Sequence, residues 1–100
     1  MKTSIQETDT RITAILSGEM DTAAALEIEN SLLPLYDSAG RDIVIDCTEL
    51  EYIASSGLRI LLGILKKAKA GGSRVILKNV NDVIHEVFEL TGFINIFEFE

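Results

Sequence analysis

The sequence predicts a single α/β domain, residues 1–100, built on a mostly parallel, mixed β-sheet. Unalternating apolar runs at 43–45 and 75–77 are typical of strands in a parallel sheet. Patterns with helical spacing separate these runs, and 100 residues suffice for one hydrophobic core but not for two. The predicted order is ββαβαβα, with an N-terminal β-hairpin and three main helices, and residues 97–100 can add a final short strand.

The hairpin is predicted from two short strands around a turn at Thr8–Thr10. Apolar side chains alternate along its second strand, at Ile12, Ala14 and Leu16. Ile15 falls on the opposite face, so we expect this strand to be buried on both faces.

The first helix is predicted from Asp21 or Thr22, either of which can cap it, to about Ser38. Pro34 lacks an N–H group, so the helix should kink or restart near its end. Apolar residues recur at helical spacing and predict one buried face, made of Ala25, Ile28, Leu32 and Leu35.

Two more helices follow the strands at 41–47 and 74–78. The second helix is predicted from about Ser56 to Ala70, where Gly71 ends it, and the third from Asn81 as the cap to Gly92. The predicted buried residues are Leu58, Leu61, Leu62, Leu65 and Ala68 in the second helix and Ile84, Val87 and Phe88 in the third. Functional groups are expected at the junctions 18–22, 46–57 and 78–82, where strands end and helices begin.

Charge and composition argue against several classes of function. The net charge is −7, and the nine Lys and Arg residues are scattered apart from Lys66, Lys67 and Lys69, so neither nucleic acid nor an anionic membrane surface is expected as a partner. The densest apolar stretch, 58–65, is too short to span a membrane, and no signal peptide is visible, which favours a cytoplasmic protein. Cys47 stands alone, so no disulfide or cysteine metal site is predicted.

The residues offer little support for an enzyme or a cofactor site. His85 lies on the polar face of the last predicted helix, where a surface histidine is more common than a catalytic base. The glycines match neither a phosphate-binding loop nor a dinucleotide motif. Acids at 19–21 and 46–51 are numerous enough for magnesium, but solvated loop acids and helix caps are the simpler interpretation. We therefore predict no catalytic residue, no cofactor and no metal.

Two serines at the start of the second helix carry the main functional prediction. Either Ser55 or Ser56 is expected to cap this helix. The same N-terminus would stabilise a phosphate, and Arg59 lies one turn later, within reach of a phosphate on Ser55. The alternatives are a plain cap for the serines and, for Arg59, a surface ion pair with Glu49 or Glu51.

Four motifs in a fixed order extend over essentially the whole chain. They are GEMD before the first helix, IVIDCTELEYIASSGLRIL across the central strand and second helix, GGSRVILKNV, and ELTGF near the end. Together they resemble the STAS domain, the family of anti-sigma-factor antagonists. The ASSGL stretch is weak alone, but the ordered set is fairly specific.

This resemblance implies a binding module in a partner-switching pathway that controls transcription. Such domains bind a serine-kinase anti-sigma factor, which phosphorylates a serine at the start of the second helix, and a PP2C-type phosphatase removes the phosphate. By this similarity Ser55 is the phosphorylation site, with Ser56 as the second choice. The implied partner-binding residues are Asp21, Asp46, Ser55, Ser56, Gly57 and Arg59.

One departure from the family pattern leaves a second function open. Ala54 stands where the pattern D-S-S-G has its acid, and the change removes a charge that could orient the kinase or the acceptor hydroxyl. The alternative is a constitutive STAS subunit of a larger complex, such as a transporter ATPase or a sensor assembly, without a phosphorylation switch.

Overall fold

A computed structural model describes residues 1–100 and contains five strands, three α-helices and two 3-10 segments. The strands are β1 Lys2–Glu7, β2 Arg11–Met20, β3 Asp42–Ile53, β4 Val75–Lys78 and β5 Glu98–Phe99. The α-helices are α1 Thr22–Ile28, α2 Ser55–Ala70 and α3 Asp82–Thr91, and the 3-10 segments are Asn30–Asp37 and Phe93–Asn95. The predicted order ββαβαβα with a final short strand is confirmed.

The five strands form one mixed sheet in the order β1-β2-β3-β4-β5. The β1–β2 hairpin is antiparallel, and its turn is closed by the Thr8 N–H, which donates to the Arg11 carbonyl at 2.8 Å. The other three pairings are parallel, as the βαβ order requires.

One face of the sheet carries the helices. Ile12, Ile43 and Val75 lie side by side across β2, β3 and β4 and belong to the core that the helices complete. Val44 lies on the other face and outside this core, although its neighbours shield it. Ile15 shares that second face and is only half-buried, so the expectation that β2 is buried on both faces was wrong.

The segment after β2 is split between two kinds of helix. The Asp21 side chain caps α1 by accepting from the Ala24 N–H at 2.8 Å, but the α-helix ends at Ile28. The chain continues as a 3-10 segment that contains Pro34, which has no N–H to donate in an α-helical bond. The prediction of a first helix to about Ser38 that breaks near its end was therefore wrong, because the break precedes Pro34, but the predicted buried face is confirmed.

The central strand is longer than the sequence predicts. β3 continues to Ile53 because its second half pairs with β2 as far as Met20, whereas β4 ends at Lys78, opposite Asp46. Most of the expected junction 46–57 is therefore strand, as are the first three residues of the junction 18–22.

The predicted helix faces need two corrections. On α2, Ile64 is fully buried and Leu62 is half-buried, since the face turned towards the sheet is centred on Leu61 and Ile64. On α3, Ile84 and Phe88 are buried but Val87 is only partly so. No helix in the structure is both long and apolar enough to cross a membrane.

Candidate functional site

The start of α2 and the start of α1 lie side by side at the carboxyl end of the sheet. Met20 and Ile53 are paired as the last residues of β2 and β3, and the Ala54 N–H donates to the Met20 carbonyl at 2.9 Å. Asp21 and Ser55 follow directly, and both are exposed. These two residues lie at one edge of the sheet, because the paired residues Met20 and Ile53 end β2 and β3 together.

Neither serine caps α2, which corrects the prediction. The N-cap position is Ala54, with extended backbone angles (φ −86°, ψ 168°) that suit a capping residue, but its methyl group accepts no hydrogen bond. Ser55 is the first helical residue and Ser56 the second. The first N–H groups of α2 are therefore left without a side-chain acceptor at the protein surface.

The two serine hydroxyls differ in accessibility. Ser56 is half-buried, and its Oγ donates to Thr22 Oγ1 at 3.5 Å, which links the first turns of α1 and α2. Ser55 is exposed and has no side-chain hydrogen bond of this kind. The Ser55 hydroxyl is therefore the more accessible of the two.

Gly57 has a packing role that the sequence did not predict. A Cβ atom at this position would lie 2.9 Å from Ile53 Cγ1 and 3.0 Å from the Met20 side chain. Glycine lets the first turn of α2 come this close to the ends of β2 and β3 without displacing the Ile53 and Met20 side chains. Gly57 itself is buried, so it places the neighbouring serines rather than presenting a side chain.

Arg59 is exposed one turn after Ser55 and forms no ion pair. The alternative, a surface ion pair of Arg59 with Glu49 or Glu51, is therefore wrong. Residues four apart on a helix lie on the same face, so the Arg59 guanidinium can swing towards Ser55.

Beside these residues lies a groove between α1 and α2 that sequence reasoning missed. It encloses about 410 Å³ and is lined by Ala25, Leu26, Glu29, Tyr36, Ser56, Arg59, Ile60 and Gly63. Tyr36 comes from the 3-10 segment, and burial, with a smaller effect of the Glu29 charge, raises the pKa of its phenol. No local pattern marks Tyr36 as part of this site, because the fold alone brings it to α2.

A model of the STAS domain family matches residues 3–100. The chain belongs to the STAS domain family. BtrV of Bordetella bronchiseptica, provisionally named an anti-sigma factor antagonist, is 33% identical over 97 residues, which cover 97% of this chain and 84% of BtrV. An anti-sigma-B factor antagonist of Listeria monocytogenes is 32% identical over 95 residues, which cover 94% of this chain and 83% of that protein.

A solved structure shares the fold of this STAS domain. SpoIIAA of Bacillus, in its phosphorylated form, superposes with a TM-score of 0.74 at 22% identity, covering 99% of this chain and 91% of SpoIIAA. At this level of identity the likeness establishes the common fold and no more.

Asp46 lies apart from the other predicted site residues of this STAS domain. Asp46 pairs with Ile15 and Ile53 with Met20, so five residues of β2 separate the two positions, about 17 Å at roughly 3.3 Å per residue. The Asp46 carboxylate accepts from the Thr48 hydroxyl at 2.6 Å and the Thr48 N–H at 3.0 Å, and these bonds lower the pKa of Asp46 against a partial opposing effect of burial. The structure does not bring Asp46 to Ser55.

Two other side chains that could take part in chemistry are Cys47, which is buried, and His85, which contacts neighbouring side chains. Burial, with a smaller contribution from Asp46, raises the pKa of the Cys47 thiol to about 12, so it is neutral at physiological pH. The His85 ring lies against Phe99, and its Nδ1 is 3.1 Å from the Glu89 carboxylate on the helix surface. No three His, Cys, Asp or Glu side chains are grouped as metal ligands.

Proposed function

We propose that this STAS domain is a cytoplasmic anti-sigma-factor antagonist that binds a serine-kinase anti-sigma factor, and that phosphorylation of Ser55 by this kinase ends the binding. A PP2C-type phosphatase reverses the modification. The observation that carries the proposal is the exposed Ser55 hydroxyl in the first turn of α2, beside Asp21. The antagonist names of the Bordetella and Listeria relatives support the same assignment.

The local structure can accept a phosphate on Ser55 without refolding. Ala54 contributes no cap, so the first N–H groups of α2 and the positive end of the helix dipole are available to an anion. Arg59 has no competing carboxylate and lies on the same helix face as Ser55. We therefore expect the phosphorylated domain to keep its fold.

The added charge would act on the partner interface. The end of the sheet that carries Ser55 also exposes the carboxylates of Glu19, Asp21 and Glu51. A phosphoserine adds roughly −1.5 to −2 charges at neutral pH, at a place where the partner meets a neutral hydroxyl among acids. Like charges brought together at an interface cost several kcal/mol, and about 1.4 kcal/mol is a tenfold loss of affinity.

A calorimetric titration against the isolated kinase partner tests the proposal. Wild type and Ser55→Ala should bind with similar Kd, whereas Ser55→Asp should bind at least about tenfold more weakly. Ser4→Asp is the matched control, because Ser4 is also an exposed serine but lies on the edge strand β1. After incubation with kinase and ATP, intact-mass analysis should find one phosphate on wild type and none on Ser55→Ala. Equal affinity of all four proteins would refute the proposal.

One observation favours a second candidate function. Ala54 removes the side chain that would cap α2 and approach the kinase, as expected of a domain that has lost its switch and serves as a constitutive subunit. A pull-down with this domain from native extract distinguishes the two functions. A transporter ATPase or sensor protein recovered with an unphosphorylated domain would favour the subunit, and a serine kinase would favour the antagonist.

A further inference from the structure

The groove between α1 and α2 runs away from the proposed phosphorylation site. Both helices begin at the carboxyl end of the sheet, so the lining residues of α2 follow one another down the groove. Ser56 and Arg59 form the end nearest Ser55, which we call the upper end, Ile60 lies in the middle, and Gly63 marks the lower end. The groove has a volume of about 410 Å³.

The groove is open because its floor is made of small residues and one tyrosine. A Cβ atom on Gly63 would lie 3.1 Å from the Tyr36 hydroxyl oxygen, so the glycine allows Tyr36 to lie against α2. The walls include Ile60 and Leu26, and Leu26 is 71% exposed despite its apolar side chain. Apolar surface is thus left uncovered directly beside the site of the proposed switch.

The charges of the groove are divided between its ends. Arg59 stands at the upper end without an ion pair. Glu29 stands at the lower end, beside Tyr36. A carboxylate is therefore attracted to the upper end and repelled from the lower end. The groove thus favours one orientation of a bound segment that carries a carboxylate.

We infer that this groove holds one apolar side chain of the anti-sigma factor, with a carboxylate of the same partner segment next to it on the Arg59 side. The inference rests on the proposed function and names the recognition element of that interface. The apolar side chain would cover Leu26 and Ile60, and the carboxylate would meet the Arg59 guanidinium in a charge-assisted hydrogen bond. Arginine is enriched among the few residues that dominate the affinity of protein interfaces.

The same geometry connects the groove to the switch. Arg59 can pair with a partner carboxylate in the groove or with a phosphate on Ser55, four residues earlier on the same helix face, but not fully with both. Phosphorylation of Ser55 thereby withdraws the cation that holds the partner. Arg59 is thus a specificity-determining residue and also a relay of the phosphorylation signal.

Glutamine substitutions test the two halves of the groove. Leu26→Gln and Arg59→Gln should each weaken binding of the isolated kinase about tenfold or more. Arg59→Lys should recover part of the loss, because it restores the charge without the planar guanidinium. Leu33→Gln is the matched control, since Leu33 is also an exposed leucine (54%) but does not line the groove, and it should bind like wild type. Thermal unfolding should report intact folds for all four.

A double-mutant cycle between positions 55 and 59 tests the relay. Ser55→Asp should weaken binding by a smaller factor in the Arg59→Gln background than in the wild-type background, because the cation to be withdrawn is already absent. Equal factors in the two backgrounds would overturn the relay.

The outcomes separate this inference from the proposed function. If Ser55→Asp weakens binding but Leu26→Gln and Arg59→Gln do not, the groove inference is wrong and the antagonist function stands. If Ser55→Asp binds like wild type, the function itself fails. Sedimentation of the domain alone provides a further check: a dimer that Leu26→Gln dissociates would mean that a second copy of the chain occupies the groove, which overturns the inference.

Discussion

Helices α2 and α3 begin in opposite ways. The Asn81 side chain caps α3 by accepting from the Ile84 N–H at 2.8 Å, and its amide donates to the Leu50 carbonyl at 3.0 Å. The corresponding residue of α2 is Ala54, which caps nothing. A missing cap costs a helix about 1 kcal/mol, so α2 gives up stability at the end where its N–H groups face solvent and the proposed partner.

Packing rather than capping holds the start of α2. The Ala54 N–H bonds to the end of β2, the Ala54 carbonyl accepts from the Leu58 N–H at 3.0 Å, and Gly57 brings the first turn against Met20. The α3 start depends instead on the hydrogen bonds of one side chain. The two helices should therefore respond to different substitutions.

The largest effect is expected for Gly57→Val. The new side chain would enter space already occupied by Ile53 and Met20, at 2.9 and 3.0 Å from its Cβ. Overpacking should lower the free energy of unfolding by about 2–3 kcal/mol, measured by urea denaturation, despite the better helix propensity of valine than of glycine. Gly63→Ala meets only the movable tip of Tyr36 and should cost less than about 1 kcal/mol. Similar values for the two variants would argue against close packing at Gly57.

Asn81→Ala should lower the free energy of unfolding by about 2 kcal/mol. The loss combines about 1 kcal/mol for the cap with about 1 kcal/mol for the bond to Leu50. Asn81→Asp separates the two, because it keeps the capping oxygen and removes the amide donor, and it should cost about half as much. An Asn81→Asp variant as unstable as Asn81→Ala would mean that the loss of the Leu50 bond and the repulsion of the carboxylate by the Leu50 carbonyl outweigh the cap.

Ala54→Asp should raise the free energy of unfolding by about 1 kcal/mol. The backbone at Ala54 already has the extended conformation of a capping residue, so a carboxylate there can accept from the open N–H groups of α2. Ala54→Asn, measured by the same urea denaturation, separates hydrogen bonding from charge. If neither variant stabilises the domain, the difference between the two helix starts has another cause.

The smallest effect is expected for Ser55→Asp on stability. A carboxylate in the first turn of α2 should add about 0.3–1 kcal/mol through the helix dipole, and the gain should shrink at high salt. The matched variant Val83→Asp adds a charge to the capped first turn of α3, next to Asp82, and should add less. Thermal unfolding at low and high ionic strength measures both. A lower melting temperature for Ser55→Asp would contradict an anion-accepting helix start.

The sequence alone determined the elements whose signals are local. The bounds of α3 follow from the cap at Asn81 and from Gly92, whose φ of +79° is a conformation that glycine adopts readily. The hairpin turn, the apolar runs of β3 and β4 and the place of Ser55 at the start of a helix were predictable for the same reason. Each depends on residues within a few positions of one another.

Only the tertiary structure decided how the site is assembled. Pairing with β2 carries β3 on to Ile53, and this pairing, 33 residues apart at Met20 and Ile53, sets Asp21 beside Ser55. Asp46 lies further back in β3, away from Ser55. The packing of the 3-10 segment against α2 brings Tyr36 to Gly63, where it shapes the groove. Such contacts join residues distant in the chain, and their geometry depends on how the strands register and how closely the helices pack, which no local pattern encodes.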